Sequence, residues 1–145
     1  MLIIRNKIAD KKELKGLERD TLVLNWQDRR RSRQRVRTTK GVELGIALPT
    51  GTVMQEGDLL YMDERCYIVV EAEKEDVIVI YPEDMTQGAL VAYEIGNRHH
   101  PISLSRERII TPYSRLMEEF LKRESIRYEC RKEVFEPLRR GGHHG

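Results

Sequence analysis

Two adjacent histidines, His99 and His100, lie in the segment 96–101, which reads Gly-Asn-Arg-His-His-Pro. Imidazole is the commonest protein ligand for divalent transition metals. The flanking glycine can adopt a positive φ and the proline cannot continue a helix, so the segment is predicted to be a rigid corner between a helix and a strand. Adjacent side chains diverge on either element, so the two imidazoles are poorly placed to hold one ion together. We expect one of the two histidines to be the principal metal ligand.

Two further histidines, His143 and His144, stand at the end of the chain after a short run of arginine and glycine. This segment has no apolar periodicity, and about eight residues, 138–145, are predicted to form a flexible tail. A purification tag would contain more histidines. Two interpretations stay open, an inert chain end and an arm that assists metal binding, and the second is favoured.

The run 96–99, preceded by Tyr-Glu-Ile and followed closely by Pro101, resembles the metal-site signature of the UreE family of urease accessory nickel chaperones. The resemblance covers most of the chain, and the tail that ends in histidine fits it. It implies that Ni(II) is bound at a homodimer interface by His99, with His143 and His144 assisting. It also implies delivery of nickel to the urease accessory GTPase and the urease apoprotein assembly complex.

The coordination chemistry of nickel agrees with a shared site. Ni(II) accepts about four to six N and O ligands, whereas one imidazole binds it weakly. A two-fold dimer would bring two copies of His99 to one axis, and mobile tails could close the shell. Cu(II) or Zn(II) suits the same ligands. Some family members carry a long polyhistidine tail; this tail is short, so we expect few ions per dimer.

The role of His100 stays open between a residue that supports His99 and one that faces solvent. Its side chain diverges from that of His99, and the matched signature stops one residue earlier. His99 is therefore the predicted principal ligand, and His100 is not assigned to the metal.

Composition sets broad limits. The chain has 145 residues, of which 39% are hydrophobic and 34% charged, enough for a core and a solvated surface. No apolar run approaches the roughly 20 residues of a membrane helix, and the N-terminus does not resemble a signal peptide. We expect a cytoplasmic protein that binds no membrane. Cys66 and Cys130 lie in no metal-ligand spacing, so reduced, partly buried thiols are expected.

A basic segment offers an alternative function. It contains Arg29, Arg30, Arg31, Arg33, Arg35, Arg37 and Lys40 against a single acid, which could attract nucleic-acid phosphates. Its arginines alternate with other residues, and no aromatic side chains are interleaved to stack bases. The pattern favours a strand with one solvated or partner-facing side. A nucleic-acid module, or a divalent-metal module with no urease role, is the second hypothesis.

An enzyme is disfavoured by the spacing of candidate ligands. A metal-dependent hydrolase needs an open metal position and a positioned general base, as in the HExxH motif. No such spacing occurs in the sequence, and Glu94 has no paired ligand at the right offset from His99.

The elements that must position these residues define an α+β protein. Residues 1–73 are predicted to be β-rich, with a strand over 21–26, a hairpin joining the arginine strand to 42–48, and another over 59–70. Val42, Leu44, Ile46 and Leu48 are predicted to share one buried face. The resemblance implies that this domain is similar to peptide-binding modules of co-chaperones.

Residues 74–145 are predicted to follow the order strand, helix, strand, strand, helix, strand, which is that of a ferredoxin-like βαββαβ domain. The charged stretch 71–76 is predicted to be a linker or hairpin rim. Asp84 and Gln87 predict a capped helix start, and Met85, Ala89, Ala92 and Ile95 a shared apolar face that ends at Gly96. The resemblance assigns dimerisation and metal binding to this domain.

Overall fold

The fold of the protein is described by a computed structural model, which covers residues 1–9 and 14–138. The chain divides into two compact units, Met1–Glu73 and Lys74–Gly145. Each unit has its own cluster of buried apolar side chains. The architecture is mixed α+β, as the sequence pattern predicted.

The first unit contains two three-stranded sheets and one short helix. Its elements are β1 Leu2–Ile4, β2 Glu18–Leu24, α1 Trp26–Arg29, β3 Arg33–Arg37, β4 Glu43–Ala47, β5 Leu59–Met62 and β6 Cys66–Ala72. The strand orders are β1-β4-β3 and β2-β6-β5. In each sheet one pair is parallel and the other antiparallel.

The core of this unit follows the two-residue period of its strands, because alternate side chains face inward. Leu44 and Ile46 of β4 are buried, and they meet Ile4 of β1 and Leu22 and Leu24 of β2 in one apolar cluster. The predicted hairpin is confirmed, since Arg37 pairs with Glu43.

Two sequence expectations for this unit are wrong in detail. Val42 is 37% exposed and lies outside the buried face, because β4 begins one residue later. The strand predicted through residue 26 ends at Leu24, and Trp26 opens α1 instead. The Asn25 side chain causes this change, since its Oδ1 accepts a hydrogen bond from the Asp28 N–H at 2.8 Å and caps the helix.

The second unit has the predicted order of elements. They are β7 Lys74–Ile80, α2 Met85–Asn97, β8 Ser103–Leu104, β9 Ile109–Pro112, α3 Arg115–Arg123 and β10 Tyr128–Val134. The strands form one sheet of order β10-β7-β9-β8, and all three neighbouring pairs are antiparallel. The chain leaves the sheet at the end of β7, forms α2, and returns to the sheet at β8.

The boundary between the two units falls within the charged stretch 71–76, but most of this stretch is strand and not the expected linker or hairpin rim. β6 continues to Ala72 and β7 starts at Lys74, so Glu73 alone separates them. Lys74, Glu75 and Asp76 pair with the residues of β10 from Val134 back to Lys132. Charged residues are compatible with a strand when their side chains reach solvent, which is the case for Lys74 and Asp76.

Both long helices lie on one side of this sheet. Ile78 and Ile80 of β7 meet Val91 and Ile95 of α2 in a single buried cluster. From α3, the cluster takes Met117, Phe120 and Leu121. The burial of several large apolar side chains, each worth about 1.5–3 kcal/mol, therefore fixes both helices on the sheet.

Membrane insertion has no helical candidate among the described residues. The longest of their helices, α2, has 13 residues, whereas a membrane span needs about 20. No helix in the described ranges is long and apolar enough to cross a bilayer.

A hydrogen-bonded cluster joins α3 to the edge strand β10. The Glu118 carboxylate accepts hydrogen bonds from the Tyr128 hydroxyl at 2.7 Å and the Tyr113 hydroxyl at 2.8 Å. These bonds favour the charged carboxylate and lower the pKa of Glu118. The same interaction raises the pKa of Tyr128 to about 12.

Glu118 should therefore contribute stability that depends on pH. Because its folded pKa lies below the unfolded value, the contribution is complete above the unfolded pKa and is lost as the pH falls through the folded pKa. We expect Glu118→Gln to lower the melting temperature at about pH 7 and the difference from the unsubstituted protein to shrink towards about pH 3. Thermal unfolding at both pH values measures this difference in melting temperature, and Glu119→Gln on the same helix is the control. An unchanged difference at low pH would contradict this reading.

Candidate metal centre

The helix that leads to the candidate centre starts at a side-chain cap. The Asp84 carboxylate accepts a hydrogen bond from the Gln87 N–H at 2.8 Å. The Gln87 side-chain oxygen accepts one from the Glu83 N–H at 2.9 Å. The predicted cap by Asp84 and Gln87 is confirmed, and it fixes where the first turn of α2 begins.

The predicted apolar face of α2 is confirmed for Ile95 and wrong for Met85 and Ala89. Val91 and Ile95 are fully buried, whereas Met85 is 89% exposed and Ala89 is also exposed. Val91 and Ile95 are four residues apart and share one face of a helix, which turns towards the sheet. The apolar residues Met85, Leu90 and Tyr93 lie outside this face and remain accessible.

The end of α2 is a Schellman motif centred on His99. The His99 N–H donates to the Gly96 carbonyl at 3.0 Å, and the His100 N–H donates to the Ile95 carbonyl at 3.1 Å. This pair of bonds requires a left-handed residue just after the helix, and His99 has a φ of 58°. The helix continues through Gly96 to Asn97, so the predicted stop at Gly96 is also wrong.

The imidazole of His99 is accessible, because the residue is exposed. A left-handed conformation costs an L residue roughly 1–2 kcal/mol, and glycine is the usual occupant of this position. Arg98 of the same signature pairs with Glu94 one turn earlier, at 3.7 Å. The chain thus holds an exposed histidine where backbone energetics would favour glycine.

His100 differs from His99 in its surroundings. It is half-buried, and its Nδ1 is enclosed without a hydrogen-bond partner among the described residues. Its N–H belongs to the helix-terminating turn. The main chain of His100 therefore helps to hold the corner in place.

Two hydrogen bonds tie the following residues to the rest of the unit. The Thr111 hydroxyl of β9 donates to the Pro101 carbonyl at 2.9 Å, and Thr111 is fully buried. The Leu138 N–H donates to the Ile102 carbonyl at 2.6 Å. The corner is therefore joined both to the sheet and to the last described residue of the chain.

The structure describes one of the three predicted metal ligands. His99 is described, whereas His143 and His144 lie outside the described residues. Among residues 1–9 and 14–138, no three His, Cys, Asp or Glu side chains are grouped closely enough to hold a metal ion. Both cysteines are free; Cys66 is half-buried and Cys130 is exposed, which corrects the expectation that both are partly buried.

Sequence reasoning missed Thr111 and Leu138. Both residues are unremarkable in the sequence, and each bonds to a main-chain carbonyl far away along the chain. The one local signal was the position of Pro101, which offers a carbonyl but no N–H next to the turn. No spacing rule connects such a carbonyl to its donor.

Comparison with known proteins matches each of the two units to a family model. The family model described as the UreE urease accessory protein N-terminal domain matches residues 3–73, and the model of its C-terminal domain matches residues 75–145. A urease accessory protein UreE of Synechococcus sp. is 41% identical over 107 residues, covering 74% of this chain and 72% of the relative. One from Staphylococcus saprophyticus is 35% identical over 130 residues, covering 89% and 87%.

The two matched domains define an accessory protein of urease maturation rather than an enzyme. The chain belongs to the UreE family.

The left-handed conformation of His99 has a measurable consequence. Replacing His99 by glycine should raise the free energy of unfolding by about 1 kcal/mol relative to His99→Ala, because glycine adopts positive φ without strain. Chemical denaturation of the two variants measures the difference. Ser125 follows α3 in the same way, with a φ of 56°. The difference in free energy of unfolding between Ser125→Gly and Ser125→Ala is therefore the matched control. A His99→Gly variant no more stable than His99→Ala would contradict the assignment of strain.

Proposed function

We propose that the chain is a nickel metallochaperone that binds Ni(II) through His99 at a homodimer interface, with His143 and His144 assisting. It would deliver the ion for assembly of the urease active site. Its partners would be the urease accessory GTPase and the urease apoprotein assembly complex, in the cytoplasm. Family membership supports the urease role.

The observation that carries the proposal is the hydrogen bond from the Leu138 N–H to the Ile102 carbonyl, at 2.6 Å. Ile102 follows His99 by three residues, so the last described part of the chain lies beside the corner. An extended chain spans at most about 3.3–3.6 Å per residue, so His143, five residues beyond Leu138, has a reach of roughly 17 Å. That reach is sufficient for the imidazole of His143 to meet that of His99.

His99 suits the principal role because its main chain is held by the turn and its side chain is exposed. A ligand on an ordered helix end loses little conformational freedom when it binds. Ordering the tail, which the sequence predicts to be flexible, would cost about 1–2 kcal/mol per residue. The assisting ligands would therefore contribute less net affinity and would leave more easily, as a protein that hands on its ion requires.

A second copy of the chain would supply further ligands. Ni(II) takes about four to six ligands, more than His99, His143 and His144 of one chain provide. The exposed side of α2 offers apolar contact area next to the corner, since Tyr93 is 70% exposed and Leu90 is 42% exposed. Large exposed apolar side chains that neighbour one another favour a protein interface.

The ligand set does not itself select nickel. Cu(II) and Zn(II) suit imidazole, and Cu(II) binds such ligands more tightly in the usual affinity order. Selection would then depend on which ion is available and on the partner that receives it.

The direct test is a calorimetric titration of the full chain with Ni(II). His99→Ala should weaken tight binding by about 100-fold or more, because the rigid nitrogen is lost. Deleting residues 141–145 should weaken it by about tenfold and leave the fold unchanged. If the deletion abolishes binding and His99→Ala spares it, the principal and assisting ligands have been reversed.

The anchor of the tail can be tested with a matched pair of variants. Leu138→Pro removes the N–H that donates to Ile102, whereas Leu138→Ala keeps it and removes only the 51% exposed side chain. Leu138→Pro should weaken Ni(II) binding as much as the deletion does, and Leu138→Ala should not. Equal affinities for the two variants would show that the anchor has no part in binding.

Stoichiometry tests the shared site. Tight binding should saturate near one Ni(II) per two chains, measured by calorimetry alongside sedimentation. Tyr93→Asp should shift the protein towards monomer and reduce affinity, because it introduces a charge on the exposed apolar side of α2. Gln27→Asp, at an exposed position of the other unit, is the control. One tight ion per monomer would overturn the shared site.

A further inference from the structure

The arginine strand β3 forms an open edge of its sheet. Among the strands of residues 1–9 and 14–138, the order β1-β4-β3 leaves one side of Arg33–Arg37 without a neighbouring strand. Just beyond the strand, the Thr39 N–H donates to the Thr21 carbonyl at 2.8 Å. The open edge therefore ends before Thr39.

The main-chain groups on this edge can be assigned from the ladder to β4. The Leu48 N–H donates to the Ser32 carbonyl at 2.9 Å, and the Thr38 N–H donates to the Val42 carbonyl at 2.9 Å. Hydrogen-bonded pairs alternate along an antiparallel ladder, so Gln34 and Val36 also direct their main-chain groups at β4. The N–H and carbonyl groups of Arg33, Arg35 and Arg37 then point away from the sheet.

The side chains of these three arginines share the solvated face of the sheet, as their alternate exposure indicates. Glu43 is their acidic neighbour, with ion pairs of 3.9 Å to Arg35 and 3.6 Å to Arg37. One carboxylate thus serves two guanidinium groups at long distances, and Arg33 has no ion pair or hydrogen bond in the described ranges. The edge carries an excess of positive charge.

Apolar side chains lie beside the charges on the same face. Arg35 is opposite Gly45 of β4, which is opposite Ile3 of β1. Gly45 leaves room that the Ile3 side chain fills, because a Cβ there would come within 2.9 Å of the Ile3 Cδ1. Ile3 and Met1 are 47% and 63% exposed. These apolar side chains lie two strands away from β3, across β4, so the arginines are the first side chains that a strand added at the open edge would meet on this face.

We propose that β3 accepts an extended acidic segment of a partner protein, which adds as a strand to this edge. The outward main-chain groups of Arg33, Arg35 and Arg37 bond the segment, and their guanidinium groups pair with its carboxylates. This interaction surface goes beyond the proposed nickel function and does not depend on it.

Nucleic acid is the competing partner for a basic strand. Single-stranded nucleic acid is bound by combining positive charge with aromatic side chains on which bases stack. On the solvated face of the described strands, the residues paired with the arginines are Glu43, Gly45 and Ala47, none of them aromatic. The outward carbonyl groups of the edge cannot bond a phosphate, whereas strand addition uses both the N–H and the carbonyl groups.

The test uses the full chain and a synthetic peptide of about seven residues, a usual strand length, in which glutamate alternates with valine. A twin with glutamine in place of glutamate and a single-stranded oligothymidylate are the comparison probes. The triple variant R33Q/R35Q/R37Q should bind the acidic peptide at least about tenfold more weakly. The control R115Q/R123Q/R131Q removes the same charge from exposed positions of the other unit and should bind normally.

A second pair of variants separates strand addition from charge attraction. Arg35→Pro removes both the outward N–H and the charge, and it leaves the hydrogen bonds to β4 intact. Arg35→Gln removes the charge alone. Arg35→Pro should bind about threefold more weakly than Arg35→Gln. Hydrogen exchange should show the amides of Arg33, Arg35 and Arg37 protected by the peptide.

Three results would overturn the proposal. The first is no binding of the acidic peptide, or equal binding of the glutamine twin. The second is an unchanged affinity in the triple variant. The third is binding of the acidic peptide without protection of the three amides. If oligothymidylate then binds more strongly than the peptide, and with a steep dependence on salt, the ligand is nucleic acid.

Discussion

The corner after α2 depends on two main-chain hydrogen bonds that close back onto the helix, from His99 to Gly96 and from His100 to Ile95. They form only when His99 is left-handed, and they hold because Ile95 is fully buried in the core of its unit. A buried residue four positions earlier thus determines where the exposed imidazole lies. The hydrogen bonds from Thr111 to Pro101 and from Leu138 to Ile102 extend this fixed region to β9 and to the end of the described chain.

Comparison of the two helix ends separates structural from functional requirements. α3 ends with the same pair of bonds, Ser125 to Lys122 and Ile126 to Leu121, and Ser125 is also left-handed. The turn therefore needs no imidazole, and glycine would form it at lower cost. The proposed nickel function gives a reason for a histidine in this position, whereas the turn itself gives none. Residues kept in an unfavourable conformation are often functional for this reason.

The two units offer different kinds of surface. The second presents an exposed histidine just after a helix, and exposed apolar side chains on that helix. The first presents the unpaired edge of β3, where charge and main-chain groups are both accessible. Arginine side chains also reduce unwanted pairing of such an edge, so a partner must bring the opposite charge to use it.

The sequence by itself determined the features that depend on neighbouring residues. The hairpins, the cap by Asp84 and the exposure of the arginines follow from turn residues, capping side chains and a two-residue period. His99 could be singled out from the sequence because the residues of its short signature, 96–99, are adjacent in the chain. Tertiary structure alone decided which side of α2 is buried, since Val91 and Met85 are both apolar and only the sheet distinguishes them. It also decided the left-handed backbone of His99 and the bond between Leu138 and Ile102, because both depend on contacts that no local pattern records.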